Sequence, residues 1–153
     1  MVQIESVIEL VQFLRRATLR TRIGLWCMPL EVVGREREIA VHLGVETVDI
    51  RTPLRANLAP GAEFLRLSTV KIVETLDTIA TQSGQSDCIL VCNLDLLLAG
   101  VTQQECHQVW EELFNGLPYR SRALLLAIPQ TAAHLLPYDE MLYSWRRDNR
   151  VAG

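Results

Sequence analysis

The stretch "CILVCNLDLLLAG", Cys88–Gly100, decides how this chain is to be read. Its opening is an unbroken apolar run with Ile and Val, the pattern of a strand covered on both faces of a parallel sheet. Asn93 and Asp95 then break the run. An ionised carboxylate is among the last groups to be buried without a partner. The stretch therefore reads as a strand whose end, from Asn93 to Asp95, leaves the core or carries a task.

Outward from it, the same alternation of apolar strand and amphipathic helix repeats. "RIGLWCM", residues 22–28, "VETVDI", 45–50, and "RALLLAIPQ", 122–130, read as further strands. Between them, Val7, Leu10, Val11 and Leu14 recur at one-turn spacing, and so do Ile72, Leu76 and Ile79. Pro29 can open a helix that Leu30 to His42 continue and Gly44 stops. Pro53 and the Ala-Pro-Gly at 59–61 mark a loop, and Ser68 is placed to cap the next helix. "TQQE", Thr102–Glu105, has the form of a capping box, with Cys106, Val109, Trp110 and Leu113 as the apolar stripe behind it. Tyr138, Met141, Leu142 and Trp145 predict a final helix. Strands alternating with helices predict an α/β fold: one domain over 1–153, a three-layer α/β/α sandwich with a mostly parallel sheet of four to five strands.

The 153 residues suffice for a core without disulfides or metals. A net charge of -3 excludes a surface built throughout for nucleic acid. No apolar run reaches the roughly 18–20 residues of a membrane span, and the acidic residues Glu5 and Glu9 are foreign to a targeting leader. Cys27, Cys88, Cys92 and Cys106 lie in apolar or periodic segments without metal-type spacing, which reads as buried thiols of a reducing, cytoplasmic compartment. Cys106 and His107 are helix neighbours and point to different faces, so they make neither a metal pair nor a nucleophile and base. We expect no metal and no cofactor.

In a parallel sheet, ligands collect beyond the carboxyl ends of the strands. Asn93, Asp95 and Gln130 are the candidate strand-end pocket. An acid after one apolar strand and an amide after a later one resemble the magnesium-binding and sensor positions of P-loop NTPases. The layout "DCILVCNLDLLL" followed by "RALLLAIPQ" is similar, in particular, to the small P-loop component of bacterial BREX phage-defence systems. That resemblance implies a P-loop NTPase-like fold and a cytoplasmic accessory subunit inside a larger, DNA-directed assembly. The phosphate loop of the family should follow the first strand, with glycines for the turn and a lysine for the phosphate. This chain has "CMPLEVVGRERE" there, and Lys71 is its only lysine. Glu31 near the helix start would itself take the anion-favouring field.

The expected function is thus a non-catalytic pseudo-NTPase interaction subunit, with no catalytic residues. The alternatives are a nucleotide-binding switch or weak ATPase with an unusual phosphate loop, or a Rossmann-like small-molecule enzyme. Asp95 has two readings, a carboxylate that holds a metal or orients water, and a structural carboxylate paired with an arginine. Leu96 follows it where such ATPases often place a glutamate, which favours the second. Arg15, Arg16, Arg20, Arg146, Arg147 and Arg150 cluster at helix ends and are the candidate interface for a protein partner. Nucleic acid would be met only through these local patches or through a complex.

Overall fold

The computed structural model describes residues 4–16, 21–56, 67–82, 84, 86–115 and 121–153. Five strands form one sheet: β1 Ile23–Met28, β2 Glu46–Asp49, β3 Cys88–Cys92, β4 Ala123–Pro129 and β5 Val151–Ala152. The helices are α1 Ile4–Leu14, α2 Glu36–Leu43, α3 Arg51–Ala56, α4 Thr69–Thr81, α5 Leu94–Leu98, α6 Gln103–Asn115 and α7 Asp139–Arg147, with 3-10 turns at Leu30–Val32 and Gln130–Leu135. The strand order is β2-β3-β4-β1-β5, and every pairing is parallel. Helices cover both faces, so the chain is a three-layer α/β/α sandwich.

This order explains the layering. From β1 the chain steps over β4 and β3 to reach the β2 edge, then returns strand by strand until it passes β1 and ends at β5. Crossovers between parallel strands are right-handed, so a reversal of direction sends the helices to the opposite face. Accordingly α1 and α2 bury Leu10, Leu14, Ile39 and Leu43 against Trp26, Leu90 and Leu125. On the other face α4, α6 and α7 bury Ile72, Leu76, Trp110 and Trp145 against Leu25, Ile89 and Leu126. Side chains therefore alternate between two cores along each central strand, although both sets are apolar. Gly24 lies under α1, where a Cβ would stand 2.8 Å from a Leu14 methyl. Its missing side chain sets how closely that helix approaches the sheet.

Several local readings hold in detail. Thr102 and Glu105 exchange the two bonds of a capping box, at 3.1 Å from the Glu105 amide and 3.2 Å from the Thr102 amide. The Ser68 hydroxyl accepts from the Lys71 amide, and Gly44 ends α2 in the left-handed conformation at φ 69°. Others are corrected. Strand β3 stops at Cys92, and the rest of the quoted stretch is the short helix α5. The helix expected from Leu30 to His42 is split: a 3-10 turn, then Gly34 at φ 89°, then α2 from Glu36. Pro53 lies in the first turn of α3, where a missing amide donor costs no helical bond. The Ala-Pro-Gly at 59–61 lies outside the described residues.

The chain end is secured by Arg150, which is 6% exposed. Its guanidinium donates to the carbonyls of Ile23, Leu113 and Phe114 at 2.8–3.4 Å, and lies 4.2 Å from the Trp145 ring centre. Its own carbonyl accepts from Leu25 at 2.8 Å, the bond that starts the β1–β5 pairing. Burial pulls its pKa down to about 10, opposed by Asp148, so it stays charged at neutral pH. Arg150→Met keeps much of the volume but leaves three carbonyls short of a donor. We expect a loss of about 2–4 kcal/mol in urea unfolding; an unchanged midpoint would show that the anchor is dispensable.

Candidate functional site

The connections from β1 and from β4 leave in opposite directions, so the carboxyl edge between these two strands is the position where ligands of such folds bind. That edge of the sheet is made by the turns after β1, β2, β3 and β4. After β1, Pro29–Val32 makes a 3-10 turn instead of a long glycine loop. The Gly34 amide then donates to the Glu36 carboxylate at 3.0 Å, so an acid of the chain itself occupies a loop donor that an anion would need. Glu36 and Glu38 both stand in the first turn of α2, which uses the favourable field of that terminus.

After β3, Asn93 adopts φ 67° and ψ 17°, a left-handed conformation that asparagine tolerates better than most residues. That single residue turns the chain from strand into α5. Its side-chain amide donates to Asp49 at the end of β2, at 3.0 Å. Asp49 also takes the Arg51 guanidinium in two-pronged fashion, at 2.8 Å from Nη2 and 3.1 Å from Nε, and the Arg51 backbone amide at 3.0 Å. The Arg51 bond, aided by the Asn93 amide and opposed by partial burial, holds the Asp49 carboxyl down at about 2.

Asp95 stands on the first turn of α5, half-buried. An arginine is the expected partner of Asp95; the one whose charge reaches it, Arg51, is committed to Asp49 and acts on Asp95 only through space. Burial raises the Asp95 pKa and the charge of Glu36 adds to that, while its own amide, the Leu96 amide and Arg51 pull the other way. The edge thus holds a strained carboxylate, Asp95, beside a well-satisfied one, Asp49. Gln130 is exposed at the start of the 3-10 turn after β4; that turn packs on α5, which puts all three strand-end candidates on one edge. Sequence reading missed Asp49, Arg51 and Glu36. The signal was present as an acid closing the β-branched run "VETVD", with an arginine two residues on.

Among the described residues, no group of three or more His, Cys, Asp or Glu side chains is placed to hold a metal ion. The four cysteines are buried, and burial raises their pKa values, to about 12 at Cys88 and Cys92. Such thiols are inert. Among the described residues, no helix is long and apolar enough to cross a membrane.

The arginines divide into two groups. Arg15 donates to Asp87 at 2.8 Å and to the Gly44 carbonyl at 2.6 Å, while Arg150, expected at the surface, is the buried anchor described above. Arg16 lies over the Phe13 ring at 5.4 Å, and Arg146 and Arg147 are exposed, the latter 3.3 Å from Asp148. Arg20 lies outside the described residues. Comparison of the chain with protein-family models, with curated proteins and with solved structures found no match.

The two carboxylates predict opposite responses. Asp49 has a folded pKa near 2 against an ordinary 3.8, so its contribution is complete above about pH 4 and lost as pH falls through about 2. Asp95 is raised, so ionising it opposes folding, and the penalty is relieved as pH falls through its folded pKa. At pH 7, Asp49→Asn should cost about 1 kcal/mol after screening at this solvent-accessible pair, lowering the thermal midpoint by about 2–4 °C. Asp95→Asn should raise it, since it removes a carboxylate whose ionised form is disfavoured in the folded chain. Calorimetry of both variants at pH 7 and pH 4 checks the signs; a destabilised Asp95→Asn would refute the strained-carboxylate reading.

Proposed function

We propose that the chain is a non-catalytic, pseudo-NTPase interaction subunit. The observation that carries this reading is the turn after β1. In place of a glycine loop and lysine it has a 3-10 turn followed by Gly34, whose amide is taken by Glu36. A phosphate approaching this edge would meet Glu36, Asp49 and Asp95, with the arginine fork of Arg51 already spent on Asp49. Electrostatics of that kind repel a nucleotide's phosphates. The same edge presents apolar side chains instead, Leu30 after β1 at 66% exposure and Leu96 after β3 at 50%. Exposed leucines on the ligand-binding edge suit contact with another protein better than a polar cofactor.

The assembly we have in mind is a cytoplasmic, DNA-directed complex of phage-defence type, on the similarity of layout to the small P-loop component of BREX systems. In it the chain acts through protein contacts, and any nucleic acid is reached through the complex. The test is thermal unfolding with and without Mg-ATP. A ligand at about 100 times its dissociation constant would add roughly 2.7 kcal/mol. We expect no change with ATP, ADP or GTP at millimolar concentration. A reproducible nucleotide-dependent rise would overturn the reading in favour of a nucleotide switch with an unusual phosphate loop.

A further inference from the structure

Two cavities of about 580 and 600 Å³ adjoin on the β5 side of the sheet and share Phe13 as a lining residue. The first runs beside α1 from Ser6 to Arg16, with Val151 of the edge strand and Arg146 among its other linings. The second continues past Phe13 to Phe114, Arg147 and the flank of Arg150. Ten residues of helical rise make the first cavity about 15 Å long, the span of about five residues of extended chain.

The groove has three properties that act together. It is cationic: Arg16, Arg146, Arg147 and Arg150 stand against Glu9 and Asp148, four guanidiniums to two carboxylates. It is apolar below, where Leu10, Phe13 and Phe114 are the floor, with Arg16 held over Phe13 and Arg150 over Phe114. It also borders the outer edge of β5, which no other strand pairs among the described residues. Leu25 is registered opposite Val151, and its amide bonds to the Arg150 carbonyl. Parallel pairing therefore turns the Arg150 carbonyl and the Ala152 amide toward β1, and the amide and carbonyl of Val151 away from it.

We propose that this groove binds an extended acidic segment of a partner protein, laid along β5 with carboxylates on Arg146, Arg147 and Arg16 and apolar side chains on Phe13 and Phe114. Strand addition supplies main-chain bonds through Val151, and the side pockets supply the selection. An arginine fork matches a carboxylate in two-pronged geometry. A nucleic-acid strand fits less well, since it cannot use the outward peptide edge and would bring a phosphate per nucleotide past Glu9 and Asp148. The proposal deepens the interaction-subunit reading and rests on it by naming the partner's chemistry.

The test is fluorescence anisotropy with a labelled eight-residue peptide alternating Glu with Phe and Leu, beside the same peptide with Lys for Glu, and a labelled single-stranded oligonucleotide. The full chain should bind the acidic peptide and discriminate against the basic one by about tenfold or more. The charge reversal Arg146→Glu with Arg147→Glu should weaken binding about tenfold while the chain still unfolds in one cooperative transition well above the assay temperature, and Arg37→Glu on α2 should leave binding unchanged. Absence of acidic-peptide binding, insensitivity to the Arg146/Arg147 reversal, or tighter binding of the oligonucleotide would each overturn the proposal. The nucleotide reading is scored separately by thermal shift. A rise with Mg-ATP beside intact peptide binding sinks only the pseudo-NTPase reading, whereas lost peptide binding without a nucleotide effect sinks only the groove.

Discussion

The right-handedness of parallel crossovers is the constraint on which this structure depends. Because β1 sits inside the sheet, the chain must leave it in one direction and come back past it in the other. That reversal puts α2 on one face and α4, α6 and α7 on the other, and α1, which precedes β1, packs on the α2 face. With both faces covered, the pleat divides the apolar residues of β1, β3 and β4 between two cores. An edge position for β1 would have left α2 on the same face as the later crossover helices.

The two ends of the sheet solve different electrostatic problems. At the amino end, strands begin with backbone groups that no ladder satisfies, and arginines close them: Arg22 donates to the carbonyls of Leu14 and Ser121, and Arg122 to the Ser86 carbonyl and the Glu46 carboxylate. Arg15 and Arg150 do the same for Gly44 and for Ile23. A guanidinium offers five donors in a fixed plane, so one side chain can join several turns at once. At the carboxyl end the Arg51 guanidinium is taken up by Asp49, the Asn93 side chain and backbone amides supply further donors, and Asp49, Glu36 and Asp95 are the acids there. An anion-binding edge needs the reverse balance.

The fold was legible because its signals are local and repeated: apolar runs of strand length, helical spacing, a capping box and a terminating glycine. Strand order was not legible, since Cys88 to Cys92 and Ala123 to Ile128 are apolar on both faces and carry no mark of their neighbours. The short α5 was hidden for a related reason. Leu94, Leu97 and Leu98 are all buried, and a one-turn helix is too brief to show a period against the strand before it. Only Asn93 marked the boundary, through its tolerance of positive φ. Asp95 and Gln130 were placed at the carboxyl ends of strands by topology alone, and they do follow β3 and β4. The partner of the acidic strand end was missed because Asp49 and Asn93 are 44 residues apart and meet only when β2 pairs with β3.

Arginine clustering in the sequence turned out to mix two physical roles that composition does not separate. Arg15 and Arg16 are adjacent, yet one is spent on Asp87 and Gly44 while the other remains on the Phe13 ring at a groove. Arg147 and Arg150 share the same chain end, yet the first is exposed and the second buried among backbone carbonyls. What distinguishes them is whether a carbonyl lies within reach once the strands are in order. A guanidinium with such partners has too few donors left to recognise anything else. The remainder, Arg16, Arg146 and Arg147, reach no backbone carbonyl among the described residues and gather beside β5, because α1 and α7 both end there, one on each face of the last strand.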